Sequence, residues 1–387
     1  MFPSGAPMKT LLRELRARER EMVQLLGKFV ECESPSADKD SVDRMGQMVG
    51  TQWKMRGAKV STLPQKSAGN HVRAELFLGS DKPAGQILAL GHLDTVYPLG
   101  TLRKMPFRVA RGKAWGPGTF DMKGGLVQAL FAVDALKAAG IRPRKRLVFL
   151  WTSDEEVGSA TSRREIEREA KRSNAVLVLE PSFGVDGRLK TERKGVGTVE
   201  IVVHGRAAHA GIDPRAGVNA VHELALQIAR LMKMNDPRRG LTVQATVVSG
   251  GTASNVVPAE ARAMVDIRYT RFADGRKIDR AFGRLRPILK GARIEVYGGI
   301  NRPPLERTPA IVRCFRQARS LAREMGLPLG EASTGGASDG NFTAALGVPT
   351  IDGLGAVGEG AHSVHEHVIT RALPERAALL AGLLATL

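Results

Sequence analysis

Apolar residues return every three to four positions through residues 8–29 and again through 38–56, the spacing of amphipathic helices. Further on the pattern changes. "HVRAELFLG" and "QILALGH" read as strands, and "RLVFLW" and "AVLVLE" are short unbroken apolar runs, the mark of strands buried on both faces. Between them "GGLVQALFAVDALKAAG" reads as a helix stopped by Gly140. Strands alternating with helices predict an α/β layer architecture around a mostly parallel sheet.

From about residue 195 the order differs. "TVEIVVHG" (strand), "VNAVHELALQIARLMKM" (helix), "LTVQATVVSG" and "EARAMVDIRYT" (strands), "DGRKIDRAFGRLRPILK" (helix) and "ARIEVYGG" (strand) follow one another. That is β-α-β-β-α-β, the ferredoxin-like order. After residue 304 the earlier alternation resumes, ending in the helix "ALLAGLLATL". The pattern therefore predicts one α/β domain, 1–194 plus 305–387, interrupted by an inserted α+β domain, 195–304. A chain of 387 residues has room for two or three domains of about 150 residues each.

Composition narrows the partners. The chain has 58 Lys and Arg against 39 Asp and Glu, a net charge of +19. Such an excess admits nucleic acid, acidic lipid or an acidic small substrate. The basic residues are scattered, however, and aromatics are only 5%, which argues against nucleic acid as a partner. Cys32 and Cys314 are far apart and form no CxxC pair, which fits a reducing compartment. "MFPSGAPMKTLLRELRARERE" lacks the apolar stretch of a secretory leader. No run of about 18 apolar residues marks a membrane span. A cytoplasmic protein with no membrane partner is expected.

Candidate chemistry sits where apolar runs stop. "GHLDTV" places His92 and Asp94 at i and i+2, on one face of an extended segment. Asp94 could then accept a hydrogen bond from the ring of a metal-bound His92. Alone, such a pair is more often a satisfied polar pair at a strand end. Asp121 lies in the Gly-rich "GPGTFDMKGG", where an acid would repel phosphate and attract a cation. "TSDEEVGS" follows "LVFLW" with three acids, Asp154, Glu155 and Glu156, although Ser153 and Glu156 also fit a helix capping box. "LVLEP" adds Glu180, and "GAHSVHEHV" adds His362, His365 and His367. Open α/β sheets bind ligands at the ends of parallel strands. A mixed set of imidazoles and carboxylates suits zinc, cobalt or manganese, and there are enough for two ions sharing one carboxylate.

These segments, with "RAAHAG" and "SNVVPAEARAMVDIRY", resemble the co-catalytic zinc peptidase and deacylase family. Its members include glutamate carboxypeptidase, acetylornithine deacetylase, succinyl-diaminopimelate desuccinylase and aminoacylase. The resemblance runs in order over roughly residues 10–385, and "HLDTVYPLGTL…PFRV…GPG" leans to the glutamate carboxypeptidase branch. It implies two zinc ions per subunit, for which cobalt or manganese could substitute. Asp121 would bridge them, with His92 and Glu180 on one ion and Glu156 and His362 on the other. Glu155 would be the general base and Asp94 would orient His92. Glu at position 180, rather than Asp, speaks against an aminopeptidase. A cis peptide between Asp121 and Met122 is also implied.

The inserted domain would serve as a dimerisation lid, and His209 of one subunit would stabilise the oxyanion in the other. Asn255, Arg268 and Arg302 would face the substrate carboxylate, and Gly335 and Gly336 would form a pocket wall within Ser333–Gly340. The implied reaction is hydrolysis of the amide bond of small acidic N-acyl amino acids or peptides, with C-terminal glutamate as one candidate. Arg188 and Lys190 depart from the glutamate carboxypeptidase pattern and put that preference in question. A biosynthetic deacylase is the alternative within the family. Outside it stands a basic, non-enzymatic nucleic-acid-binding protein on the same fold.

Overall fold

The computed structural model describes residues 6–79 and 82–387. These divide into two compact units. The first comprises residues up to Glu192, Arg307–Thr334 and Ser338–Leu387, and the second Arg193–Glu306 with Gly335–Ala337. The short Gly335–Ala337 stretch thus falls outside the α/β segment expected from 305 to 387. The carbonyls of Gly336 and Ala337 each accept an N–H from Arg193, at 3.2 Å, and that of Gly335 accepts one from Arg268 at 3.4 Å.

In the first unit a six-stranded sheet runs in the order Lys59–Leu63, His71–Leu76, Arg146–Thr152, Gln86–His92, Ala175–Val178, Thr350–Ile351. The last four of these are mutually parallel, and the first two form an antiparallel edge. Ala175–Val178 is buried throughout and Arg146–Thr152 beyond its first residue, which explains their unbroken apolar runs, and every residue of Gln86–His92 is buried as well. The helix Gly124–Ala138 is also buried on nearly every side. A second, four-stranded sheet pairs Gly358–Glu359, His367–Ile369, Lys113–Trp115 and Arg108–Ala110. Among the described residues no helix is long and apolar enough to cross a membrane.

Two helices differ from the expected ones. Residues 8–29 form not one helix but two, Ala6–Ala17 and Glu19–Glu31, broken at Arg18. The Arg18 guanidinium lies 4.4 Å from the centre of the Phe131 ring and 3.3 Å from Asp134, so tertiary contact outweighs helix continuity. In the inserted unit the second helix is Phe272–Gly283 and stops well short of Lys290. Pro287 lacks the N–H a further turn needs and disfavours helix in the residue before it.

The second unit is an antiparallel sheet in the order Thr242–Gly250, Glu260–Tyr269, Gly195–His204, Arg293–Arg302. Val199, Ile201 and Val203 alternate inward, as do Ala261, Ala263, Val265 and Ile267. The helices Ala220–Met232 and Phe272–Gly283 pack on this sheet. Their Ala220, Leu224, Leu231, Ile278 and Phe282 complete the core.

Candidate metal centre

Three adjacent parallel strands end at one level. Their register sets His92 beside Thr152 and Leu90 beside Val178. The chain leaving them carries His92, the pair Glu155 and Glu156, and Glu180 to one edge of the sheet, where open α/β sheets gather ligands. Asp121 arrives on the turn Thr119–Lys123, which opens the buried helix. His362 arrives on the loop between Gly358–Glu359 and His367–Ile369.

These five side chains form two groups: His92, Asp121 and Glu180, and Asp121, Glu156 and His362. One ligand atom from each residue lies within 4.8 Å of the others in its group. Asp121 belongs to both. Its Oδ1 is 3.2 Å from His92 Nε2 and its Oδ2 is 3.4 Å from His362 Nε2. Glu180 lies 3.4 Å from His92 Nε2, and Glu156 lies 3.2 Å from His362 Nε2. The peptide bond joining Asp121 to Met122 is cis.

Asp94 holds His92 differently from the arrangement expected. The His92 Nδ1–H donates to the main-chain carbonyl of Asp94 at 2.9 Å, while the Asp94 carboxylate stays 3.5 Å away. A carbonyl only accepts, so Nδ1 carries the proton and the Nε2 lone pair faces the two carboxylates. The Asp94 carboxylate instead accepts from the N–H groups of Glu155 and Glu156 at 3.3 and 3.2 Å, and from the Ser36 hydroxyl at 2.7 Å.

The electrostatics call for a cation. Burial disfavours a charged His92, yet Asp121, Asp94 and Glu180 outweigh it and hold its pKa well above the usual imidazole value. Asp121 and Glu156 raise His362 to about 10. Burial would raise Asp121, but the two histidines pull it well below the carboxylate range. Burial pushes Glu156 upward, and its Oε1 is enclosed with no hydrogen-bond partner. Three carboxylates and two imidazoles, buried at His92 and Glu180 and open to solvent at His362, with an enclosed carboxylate oxygen that lacks a partner, fit divalent metal ions of the zinc type.

The capping-box alternative for "TSDEE" does not describe the fold. Ser153 Oγ bonds His71 Nδ1 at 2.8 Å and the carbonyl of Gly69, and the next α-helix begins only at Arg163. Asp154 ties down its own loop, accepting from the Thr161 N–H at 2.7 Å and the Thr161 hydroxyl at 2.8 Å. Glu366, with the Tyr97 hydroxyl that bonds it, also belongs to the centre and escaped the sequence reading. Glu366, fully buried, accepts from the N–H groups of Gly118, Phe120 and Asp121 at 2.8–3.0 Å and from the Tyr97 hydroxyl at 2.6 Å. Its only sequence trace is an acid between two histidines in "HEH".

Residues 88–386 match the model of peptidase family M20/M25/M40. The chain belongs to this family. Among curated M20 relatives, carboxypeptidase G2 of Pseudomonas sp. (strain RS-16) is 34% identical over 94% of this chain and 88% of its own. Succinyl-diaminopimelate desuccinylase of Burkholderia lata is 30% identical over 76% of this chain and 81% of its own. Among solved structures, an M20 metallo-carboxypeptidase from Sulfolobus solfataricus superposes with a TM-score of 0.73 at 16% identity. That match covers 94% of this chain and 98% of that one. The protein is accordingly a metal-dependent peptidase or amidohydrolase of M20 type.

The remaining candidates lie in the inserted unit. His209 is exposed, and its Nδ1 accepts from the N–H groups of Gly211 and Ile212 at 3.1 and 3.0 Å. The carbonyl of Asn255 accepts from the Ala210 N–H at 2.9 Å. The Arg268 guanidinium is paired with Asp266 at 2.8 Å, and Arg302, buried at the end of its strand, donates to Asn301 at 3.2 Å.

Proposed function

We propose that this M20 protein is a dizinc hydrolase that cleaves the amide bond of N-acyl amino acids or small peptides in the manner of a carboxypeptidase. The observation that carries this reading is Asp121, whose two carboxylate oxygens face two different histidines, each of which has a second carboxylate beside it. His92 and Glu180 would hold one zinc ion, Glu156 and His362 the other, and Asp121 both. When bound, the ions supply Lewis acidity, polarising the scissile carbonyl and making water easier to deprotonate.

The chain's own groups do the rest. Glu155 takes a proton from the attacking water and later gives it to the leaving amine. Asp94 holds Glu155 and Glu156 by their N–H groups and so fixes the backbone that carries both carboxylates. His209 supplies an oxyanion donor to a partner subunit. With Nδ1 occupied by two backbone N–H groups, its proton sits on Nε2. The partner is a second copy, docked through the inserted unit. The strand Thr242–Gly250 is an edge of its sheet among the described residues and exposes Val247 and Val248 beyond the stretch that Asn235 covers at Val243, a surface suited to such pairing. Arg302, with Asn255, Arg268 and the wall at Gly335 and Gly336, is assigned to the substrate carboxylate, for which a guanidinium is well shaped.

The likeness to carboxypeptidase G2 favours release of a C-terminal amino acid, and the glutamate-carboxypeptidase character of "HLDTVYPLGTL" makes an acidic one the candidate. The likeness to succinyl-diaminopimelate desuccinylases supports a second reading, removal of a succinyl group, or of an acetyl group as the acetylornithine deacetylase resemblance would have it, from a diamino acid. A panel of N-acyl amino acids and dipeptides, offered to the zinc-loaded protein with free amine as readout, separates the two. Preference for N-acyl glutamate or aspartate supports the first. Preference for N-succinyl or N-acetyl diamino acids replaces it with the second. No amine from any member, with two zinc equivalents bound, overturns both.

A further inference from the structure

Glu366 belongs to neither ligand group, yet its carboxylate accepts four hydrogen bonds beside the centre. Each oxygen takes two donors. Oε1 accepts from the N–H groups of Phe120 at 2.8 Å and Asp121 at 2.9 Å. Oε2 accepts from the Gly118 N–H at 3.0 Å and the Tyr97 hydroxyl at 2.6 Å. The Glu366 carbonyl takes a fifth donor, the Gly116 N–H, at 3.3 Å. The side chain is wholly enclosed, and four donors exhaust what a carboxylate accepts in its plane. Gly118 has φ of +73°, a left-handed conformation open to glycine, and this lets its N–H join the others around one anion.

The donors come from two of the loops that bring ligands, and Glu366 itself sits on a third. Tyr97 follows the His92 and Asp94 segment and also donates to the carbonyl of Ser363 at 3.0 Å. Gly116–Asp121 is the turn that delivers the shared carboxylate. Glu366 closes the loop that carries His362, and its own N–H bonds the Ser363 carbonyl at 3.2 Å. We propose that Glu366 is a positioning residue of the metal centre: by anchoring the Asp121 turn to the His362 loop, it sets the distance between the shared carboxylate and the His362 imidazole. This rests on the dizinc reading above.

The geometry leaves little latitude in residue type. An amide at 366 would turn its NH₂ toward Gly118 and Tyr97 in one orientation and toward Phe120 and Asp121 in the other. In each case a donor meets a donor, and the turn must move. Residues that orient ligands from behind are worth about 10–100-fold in metal affinity.

The test is calorimetric titration of metal-free protein with Zn²⁺, repeated with Co²⁺ and followed by visible absorbance. It is run on wild type, Glu366→Gln, Glu366→Asp and Tyr97→Phe, each checked for fold by circular dichroism. Glu366→Gln should weaken at least one of two binding steps by about 10–100-fold and alter the cobalt spectrum. Tyr97→Phe, which keeps the three N–H bonds, should weaken it by roughly fivefold, the worth of one hydrogen bond. Glu366→Asp should recover part of the loss. A folded Glu366→Gln with wild-type affinities and cobalt spectrum overturns the proposal, since a merely structural residue lowers the melting temperature without moving either readout. If Glu366→Gln does not fold, unchanged affinities in both Tyr97→Phe and Glu366→Asp overturn it. A wild type that fails to take up two equivalents sinks the dizinc reading instead.

Discussion

Asp94 holds two adjacent glutamates by their backbone and one histidine through its own carbonyl. In the proposed mechanism Glu155 and Glu156, identical in kind, divide two tasks. Glu156 pairs with His362 and belongs to a ligand group, whereas Glu155 belongs to neither. Glu155→Ala should therefore lower turnover by about 10²–10⁴-fold, the usual worth of a general base, while two metal equivalents remain on elemental analysis. Loss of one equivalent would show that the tasks are shared.

Behind these residues His71 is fully buried, with Nδ1–H donating to Ser153 and Nε2 facing the Thr161 hydroxyl. Burial holds its pKa below the usual 6.5, against the pull of Asp154. The unfolded chain then binds a proton that the folded chain resists, so stability falls as pH drops from about 6.5 toward the lowered folded value. The melting temperature of wild type should drop more steeply over that range than that of His71→Asn. Parallel curves would show that His71 is charged in the fold.

At the scale of elements, what the sequence revealed and what it hid have physical causes. Gln86–His92, Arg146–Thr152 and Ala175–Val178 are legible because strands covered on both faces must be apolar throughout. The polar residues that end them, His92, Glu155 and Glu180, then stand out. Glu366 was not legible. It meets residues 118–121 because the three-residue strands His367–Ile369 and Lys113–Trp115 pair, and strands that short carry no readable alternation. The helix break at Arg18 was hidden for a similar reason, since its causes, Phe131 and Asp134, lie more than a hundred residues away.

The helix Gly124–Ala138 has its own constraint. It carries the Asp121 turn, and its start lies hard against the end of the strand that delivers Glu180. A Cβ at Gly125 would run into the carbonyl of Leu179 and come within 2.9 Å of Met122 Cε. Gly125→Ala should destabilise the protein by about 1–3 kcal/mol, the usual cost of overpacking, seen as a lower denaturation midpoint in urea. An unchanged midpoint would mean that the helix shifts along its axis at no cost.

For the molecule as a whole, the open matter is whether one chain completes its own site. The proposed two-fold dimer, the commonest kind of assembly, would use the exposed His209 and the sheet edge at Thr242–Gly250. If His209 acts across that interface, His209→Ala should lower kcat by about 10²–10³-fold, the cost of losing an oxyanion donor. Mixing His209→Ala with Glu155→Ala should then restore activity. In a mixed dimer, the site in the His209→Ala chain keeps its Glu155 and receives an intact His209 from its partner. Random exchange of subunits makes about half of all dimers mixed, and each of these holds one competent site. Exchange is confirmed separately by pull-down through a tag on one variant. Should mixed dimers form and activity stay at the level of the separate variants, His209 does not act across the interface. A monomer by light scattering at micromolar concentration, active without a partner, would place the whole reaction within one chain.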